Sequence, residues 1–261
     1  MSGRPIRLAI GAVTPHTRRA IEAALRLAHA TGRPVDCLFV EESELFDAAS
    51  LPITRELGVV AGGARRFEPP DLARALERQA EQARRELAQH AQRQRVAWSF
   101  ATARGRLLQS ALERAGEDDT LVIGVPGLEL EASLGGAAGD GGRDRLLAVV
   151  ESLPRGLSTL RAALDALPRV PLTVWQRQSL EGARAPIDEA LAALGRERGQ
   201  PLQRFAPAHD GEPTVADVVG RLRPRLLAIE REALVATAPE LWRALRRLGI
   251  TVVAGPRDER G

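Results

Sequence analysis

The sequence predicts an α/β protein built from two similar open parallel-sheet units. Short apolar runs alternate along the chain with helical stretches of about 10–15 residues, an order typical of parallel sheets with right-handed crossovers. The clearest run, 121–123, is followed by Gly124 and Gly127, as a buried strand is where it opens into a loop. After residue 145 the same order of runs and helical stretches begins again.

Two units and a glycine-rich connection account for the whole length. We expect a first unit at 1–127, a linker or loop at 128–144 and a second unit at 145–261. The chain has 261 residues, of which 44% are hydrophobic and 27% charged, and this is enough for two domains of roughly 100–150 residues each. Because the residue-level similarity between the units is faint, the predicted duplication rests on the order of their elements.

The first unit contains four predicted strands and three predicted helices. Apolar runs predict the strands, which lie at 7–13, 35–40, 96–100 and 120–123. Apolar stripes and strong helix formers predict the helices, which lie at 17–30, 69–94 and 106–115. The connection at 44–70 has no clean period. It is a lid, a dimer contact or, as the favoured interpretation, a packed surface loop.

The second unit contains five predicted strands, the third of them an edge strand. They lie at 146–150, 171–175, 202–205, 226–229 and 250–253. Helices are predicted between them at 157–167, 186–198, 215–222 and 239–248. The first unit is one strand short by comparison, unless the run at 146–150 takes that place.

Several segments of the first unit resemble the universal stress protein family. The matching segments are 7–12 with 16–24 after it, 35–42 and 119–127, and the resemblance extends over about 6–127, with the second unit similar to a degenerate copy. The resemblance implies an adenine nucleotide α-hydrolase-like fold with a parallel five-stranded sheet. It also implies that the tandem units pair about a pseudo-twofold axis, as an intramolecular pseudo-dimer or in a homodimer.

Some members of this family bind ATP or AMP, through an acidic residue ending strand one and a G-x-x-G-x9-G-[ST] loop after strand four. Here Gly124 and Gly127 supply G-x-x-G, whereas Ala137 and Ala138 stand where Gly and Ser or Thr are expected, and Ala12 stands at the acidic position. The resemblance therefore gives as cofactor-binding residues Ala12, Val13, Val40, Gly124, Gly127, Gly135 and Gly136.

The glycines in this stretch have two interpretations. Glycines let main-chain N–H groups approach a phosphate closely, and a following helix N-terminus adds its dipole. The run at 135–142 is equally typical of a flexible linker, which is the favoured interpretation. His16 is placed to donate to a phosphate, although a surface histidine at a helix start is the simpler interpretation.

Carboxylates mark the corresponding positions of the second unit. Glu151 stands at the acidic position after its first strand and could bind a ribose hydroxyl, and Glu230 and Glu232 follow its fourth strand. Because carboxylates repel a phosphate, the second unit is predicted not to bind one. A structural or partner-binding role fits it better.

Composition excludes several classes of site. Cys37 is the only cysteine, so neither an internal disulfide nor a cysteine-based zinc site can form, and the four histidines show no metal-ligand spacing. The chain has no nucleophile elbow and no lysine, which excludes a P-loop. A net charge of only +3 does not favour a nucleic-acid partner.

These observations predict a non-enzymatic stress-response or regulatory protein that acts through contacts with an unidentified protein partner. Adenine-nucleotide sensing in the first unit is part of this prediction, and the alternative is an ATP-binding protein with slow hydrolysis. No apolar run approaches the roughly 20 residues of a membrane span, and no cleavable signal segment is recognisable. We therefore expect a cytoplasmic protein without a membrane partner.

Overall fold

The structure is a computed structural model. It describes residues 4–50, 55–57, 64–66, 69–127, 145–152, 155–168, 170–177, 184–199, 202–205 and 213–255. The predicted linker at 128–144, with Gly135 and Gly136, lies outside the described residues.

The first half alternates strands and helices as predicted, with three further short elements. In chain order it contains β1 (Ile6–Ile10), α1 (Pro15–Thr31), β2 (Val35–Glu42), α2 (Ser43–Ala49), β3 (Arg55–Leu57), β4 (Ala64–Arg66), α3 (Pro69–Gln94), β5 (Trp98–Gly105), α4 (Leu107–Arg114) and β6 (Thr120–Gly124).

The second half follows the predicted order, with one further short helix. In chain order it contains β7 (Leu146–Val150), α5 (Arg155–Ala166), β8 (Leu172–Gln176), α6 (Arg184–Arg198), β9 (Leu202–Arg204), α7 (Val215–Leu222), β10 (Leu226–Ile229), α8 (Arg231–Ala236), α9 (Ala238–Leu248) and β11 (Thr251–Ala254).

Both halves contribute to one nine-stranded sheet with the order β5-β2-β1-β6-β11-β10-β7-β8-β9. Neighbouring strands are parallel throughout, except that β6 and β11 pair antiparallel, with Gly124 opposite Thr251 and Leu121 opposite Ala254. The run at 146–150 is the first strand of the second half, as predicted, and the alternative that it serves as a fifth strand of the first half is wrong. The strand β11 of the second half lies there instead.

This antiparallel joint sets the positions of the strand ends. Because β11 runs against β6, the carboxyl ends of the first-half strands lie at one edge of the sheet and those of the second-half strands at the opposite edge. Loops that follow parallel strands are where open α/β sheets bind ligands. The molecule therefore has two separate candidate edges, one in each half.

Helices cover both faces of the sheet. One face packs against α1, α3, α5 and α6, and the other against α4, α7, α8 and α9. The central strands are buried on both faces, so they read as continuous apolar runs, and β6 and β7 are buried at every position. The first helices of the two halves, α1 and α5, pack against each other across the joint.

The start and end of α1 follow from local sequence. Thr14 and Thr17 form a reciprocal capping box, and Pro15 occupies the first turn, where its missing N–H costs nothing. Gly32 ends the helix with φ of +64°, a left-handed conformation that glycine adopts without strain.

The differences from prediction are concentrated in short elements and at one helix end. Neither α2 nor α8 nor the β3–β4 hairpin was expected, since elements of three to seven residues are too short to show a period. The strand predicted at 96–100 begins later, at Trp98, because Arg95 turns the chain with φ of +55° and Val96 bonds back to Ala91. The predicted surface loop at 44–70 thus contains a helix and a hairpin.

Candidate functional site

The first candidate edge contains the predicted glycine pair, and the structure gives Gly124 a packing role. Gly124 ends β6 in register with Ile10, the last residue of β1. A Cβ atom on Gly124 would lie 2.8 Å from the Cβ of Ala20 and 3.3 Å from the Cα of Thr17. Only glycine therefore lets the first turns of α1 pack directly on the end of this strand.

Gly127 packs against the second half. A Cβ on Gly127 would lie 2.9 Å from the Cα of Gly249 and 3.1 Å from the ring of His16. Gly249, which precedes β11, has φ of +64°, and a Cβ there would lie 2.6 Å from His16. The ring of His16 is thus held between two glycines, one from each half, at the place where the first-half loop meets the start of β11.

The other predicted cofactor-binding residues differ in their access to solvent. Val40 is fully buried inside the β2–β5 ladder. Ala12 and Val13 are half-buried in the loop after β1, and the N–H of Val13 donates to Oε1 of Gln79 at 3.4 Å, a weak contact. Together with Gly124 and Gly127 they lie at one edge of the sheet, and their assignment to a cofactor stays a prediction.

A buried carboxyl group lies at this edge although Ala12 is not acidic. Glu42, at the end of β2, is 6% exposed, and its Cγ lies 3.8 Å from where a Cβ on Gly11 would be. Burial raises the pKa of Glu42, and the nearby charge of Arg246 and the main-chain N–H of Leu107 oppose that rise only in part. Sequence reasoning missed Glu42 because it expected the acid on strand one.

The short helix α2 extends over the same edge. Its Glu44 forms salt bridges with Arg106 at 2.9 Å and with Arg246 of α9 at 3.4 Å, so it connects the first half to the second. The guanidinium of Arg104 lies 3.8 Å from the ring centroid of Phe46, a cation–π contact that holds α2 against β5. At least one segment of the connection at 44–70, the helix α2, is therefore packed against the rest of the protein. The three interpretations of this connection were a lid, a dimer contact and a packed surface loop.

The second candidate edge holds a carboxylate at its centre. Glu230, which follows β10, accepts hydrogen bonds from the main-chain N–H groups of Glu151 at 2.8 Å and Ser152 at 2.7 Å, and from the hydroxyl of Ser152 at 2.6 Å. The Glu151 side chain forms a salt bridge with Arg177. The position where a phosphate would approach this loop is thus filled by a negative charge of the chain itself.

A charged network lies at the opposite ends of the first-half strands. Asp36 accepts hydrogen bonds from Arg7, Ser99 and Arg114. Burial opposes ionisation of Asp36, but the hydrogen bonds from Arg114 and Ser99 and the charges of Arg114 and Arg7 outweigh it and hold its pKa below the ordinary value. The carboxylates here are paired with arginines, which is typical of a structural network.

Arg231 attaches the second half to these strand ends. Arg231 is 5% exposed, and its guanidinium donates to the carbonyl oxygens of Gly116, at 2.7 Å, and Asp119. Glu230 and Arg231 are adjacent in the chain. Glu230 accepts the hydrogen bonds of Glu151 and Ser152, and Arg231 joins the second half to the first. Sequence reasoning singled out Glu230 only as a charge that repels phosphate and gave Arg231 no role.

Comparison with solved structures identifies the architecture. A universal stress protein from Archaeoglobus fulgidus superposes on this chain with a TM-score of 0.50 and 12% identity, over 98% of this chain and 97% of that one. This chain has the universal stress protein fold. The prediction drawn from the resemblance is therefore confirmed at the level of the fold, which is α/β with a mostly parallel sheet.

Two further structures match over most of the chain at lower similarity. A putative universal stress protein from Pseudomonas aeruginosa UCBPP-PA14 has a TM-score of 0.42 and 13% identity, over 97% of this chain and 93% of that one. A functionally unknown protein from Pseudomonas aeruginosa PAO1 has a TM-score of 0.40 and 14% identity, over 97% and 92%. At these scores they add nothing to the fold assignment. No protein-family model and no curated protein matches the sequence.

The described part of the chain contains neither a candidate metal site nor a candidate membrane span. Within the described ranges, no three histidine, cysteine, aspartate or glutamate side chains are grouped so that they could hold a metal ion. No helix of that same part combines the length and the apolar character needed to cross a bilayer.

Proposed function

We propose that this chain is a universal stress protein that acts as a regulatory or stress-response protein through protein contacts and not through catalysis. The fold supports the family assignment. The residues that close the first candidate edge support a role without catalysis. Its protein partner is unidentified, and the cytoplasmic location stays a prediction.

The observation that carries this proposal is the packing over the end of β1. A Cβ on Gly11 would lie 3.4 Å from the carbonyl oxygen of Val40 and 3.8 Å from both Leu107 and Glu42, so these groups already cover the strand end. Leu107 is 1% exposed. Gly124 contacts α1 and Gly127 contacts Gly249. Packing contacts therefore occupy the main chain at this edge, and this favours a protein without a bound nucleotide.

Nucleotide sensing in the first half is the second candidate. It is favoured by one observation, the weakly bonded N–H of Val13 in a half-buried loop beside the α1 N-terminus. ATP or AMP would be the ligand, with slow hydrolysis of ATP as its further consequence. Binding would require Glu42 to move, since an ionised carboxylate repels a phosphate.

Calorimetry distinguishes the two candidates. The purified protein is titrated with ATP, ADP and AMP, with and without Mg²⁺, and phosphate release from ATP is followed in parallel. We expect no saturable heat up to millimolar nucleotide and no phosphate release above background. Saturable binding that is lost in Gly124→Ala and retained in Gly32→Ala would overturn the proposal, because a Cβ on Gly32 meets nothing within 4 Å.

We further propose that the two halves form an intramolecular pseudo-dimer. The antiparallel pairing of β6 with β11 supports this, since it joins the halves in one sheet and covers the edge that each would otherwise expose. The expected solution mass by light scattering is that of one chain, 28.1 kDa. Twice that mass would instead support the homodimer that was the other expectation.

A further inference from the structure

Glu151 and Ser152, which directly follow β7, surround the carboxylate of Glu230 with donors. Both backbone N–H groups, those of Glu151 and Ser152, converge on Oε1, while the Ser152 hydroxyl donates to Oε2, all at 2.6–2.8 Å. Glu230 is 5% exposed. Charge-assisted hydrogen bonds of this length are the strong ones, and a buried carboxylate needs them to offset its lost hydration.

Among the described residues, no cation shares this site. The two arginines that border it pair elsewhere, Arg155 with Glu232 and Arg177 with Glu151. In the described part of the chain, no salt bridge reaches Glu230 itself. The charge is therefore held by main-chain and hydroxyl dipoles, the arrangement that forms anion-binding concavities in proteins.

Gly156, in the first turn of α5, allows close approach to the carboxylate. A Cβ on Gly156 would lie 3.1 Å from Oε1 of Glu230 and 2.5 Å from a methyl group of Val150, so a larger residue would intrude on the carboxylate. The N–H of Gly156 donates to the carbonyl oxygen of Ser152 at 3.0 Å, which connects Ser152 to the start of α5.

We propose that the donors of Glu151 and Ser152 form a carboxylate-binding site whose resident ligand is the side chain of Glu230. The inference concerns the second half and goes beyond the proposed function. While Glu230 is seated, the site is closed to external anions, so the second half is held permanently in its liganded form. Glu151 and Ser152 are half-buried, so a small carboxylate from solvent can reach the donors once Glu230 is removed.

Replacement of the missing group by a free anion tests this proposal. Glu230→Ala removes a CH₂–COO⁻ fragment, which acetate matches in size and charge. We expect the Tm of Glu230→Ala to fall by about 5 °C or more, and to recover by several degrees in 0.3–0.5 M sodium acetate at pH 7. Sodium chloride at the same ionic strength serves as the salt control.

Two matched proteins correct for general effects of acetate on stability. Wild type and Glu232→Ala, which loses a half-buried carboxylate two residues away on α8, should respond equally and weakly to acetate. Glu230→Gln should also fail to respond, because its side chain still fills the site. If Glu230→Ala does not fold unaided, the yield of refolding from urea with and without acetate provides the same comparison.

Three results would overturn the proposal. The first is a Glu230→Ala variant as stable as wild type, which would mean that the donors need no anion. The second is a destabilised Glu230→Ala whose Tm and refolding yield respond to acetate no more than those of Glu232→Ala. The third is an equal acetate response from Glu230→Gln, because that variant leaves no room for the anion.

Discussion

The two candidate edges of the sheet are closed in different ways. In the first half, apolar packing by Leu107 and two close-packed glycines cover the strand ends, and the buried Glu42 accepts only a weak hydrogen bond at 3.4 Å. In the second half, the buried Glu230 accepts three hydrogen bonds of 2.6–2.8 Å. A glutamate of similar burial therefore destabilises the fold at the first edge and stabilises it at the second, because only the second edge supplies strong donors.

The largest expected effect is at Gly249, where the first edge meets the second half. Gly249→Ala should lower the free energy of unfolding by about 3 kcal/mol, because it adds left-handed strain to a Cβ contact 2.6 Å from His16. Gly32→Ala is the matched control, since Gly32 also ends a helix at φ of +64° but has no neighbour within 4 Å. It should cost about 1 kcal/mol.

Urea unfolding of both variants provides the measurement. The difference between them isolates the contact of Gly249 with His16 from the backbone strain that the two positions share. Equal losses would show that the close contact at the joint contributes nothing, and that the first edge is not closed by this packing.

The next effect concerns the attachment of the second half. Arg231→Met keeps the apolar stem but leaves the carbonyls of Gly116 and Asp119 without the charged donor, so we expect a loss of about 2 kcal/mol in urea unfolding. Arg243→Met, an exposed arginine on α9, should change stability by less than about 0.5 kcal/mol. Similar values for the two variants would mean that Arg231 does not hold the halves together.

A smaller effect is expected from neutralising the second edge. Glu230→Gln retains an oxygen that can accept from Glu151 and Ser152 but removes the charge that strengthens these bonds. We expect a loss of about 1–2 kcal/mol at pH 7 in urea unfolding. A gain in stability would contradict the comparison, because it would show that the charge of Glu230, like that of Glu42, opposes folding.

The sequence predicted the repeating order of the chain well because that order depends on local signals. The capped helix α1, with Thr14 before it and Gly32 after it, is an example. The joint between the halves could not be predicted in this way, because the pairing of Gly124 with Thr251 is a contact between residues far apart in the chain. For the same reason 146–150 was considered for a place that β11 occupies.

The candidate edges show the same division between local and distant signals. The glycines after β6 were recognised, but their contacts with Ala20 and Gly249 depend on packing that no short motif encodes. Glu230 was noticed as a carboxylate at a strand end. Its donors at Glu151 and Ser152 come from a loop nearly 80 residues earlier, so its hydrogen bonds could not be inferred.

The last and smallest effect concerns Glu42, whose neutralisation should change stability with the opposite sign to that of Glu230. Burial raises the pKa of Glu42, so the folded state binds a proton more tightly than the unfolded state. The contribution of Glu42 is therefore favourable below the ordinary glutamate pKa of about 4.3 and is lost as pH rises through the higher folded value. At pH 7 the cost of ionising this buried group opposes folding.

Glu42→Gln should therefore stabilise the protein at pH 7 by on the order of 1 kcal/mol, since the amide can still accept from the N–H of Leu107 without a buried charge. The gain over wild type should shrink as the pH of urea unfolding is lowered from 7 to 4, whereas Asp36→Asn should be destabilising at pH 7, because its pKa is held low. A Glu42→Gln variant that is less stable than wild type at pH 7 would mean that Arg246 and Arg106 stabilise the ionised group fully. The two edges would then be closed by the same chemistry, and the contrast between them would not hold.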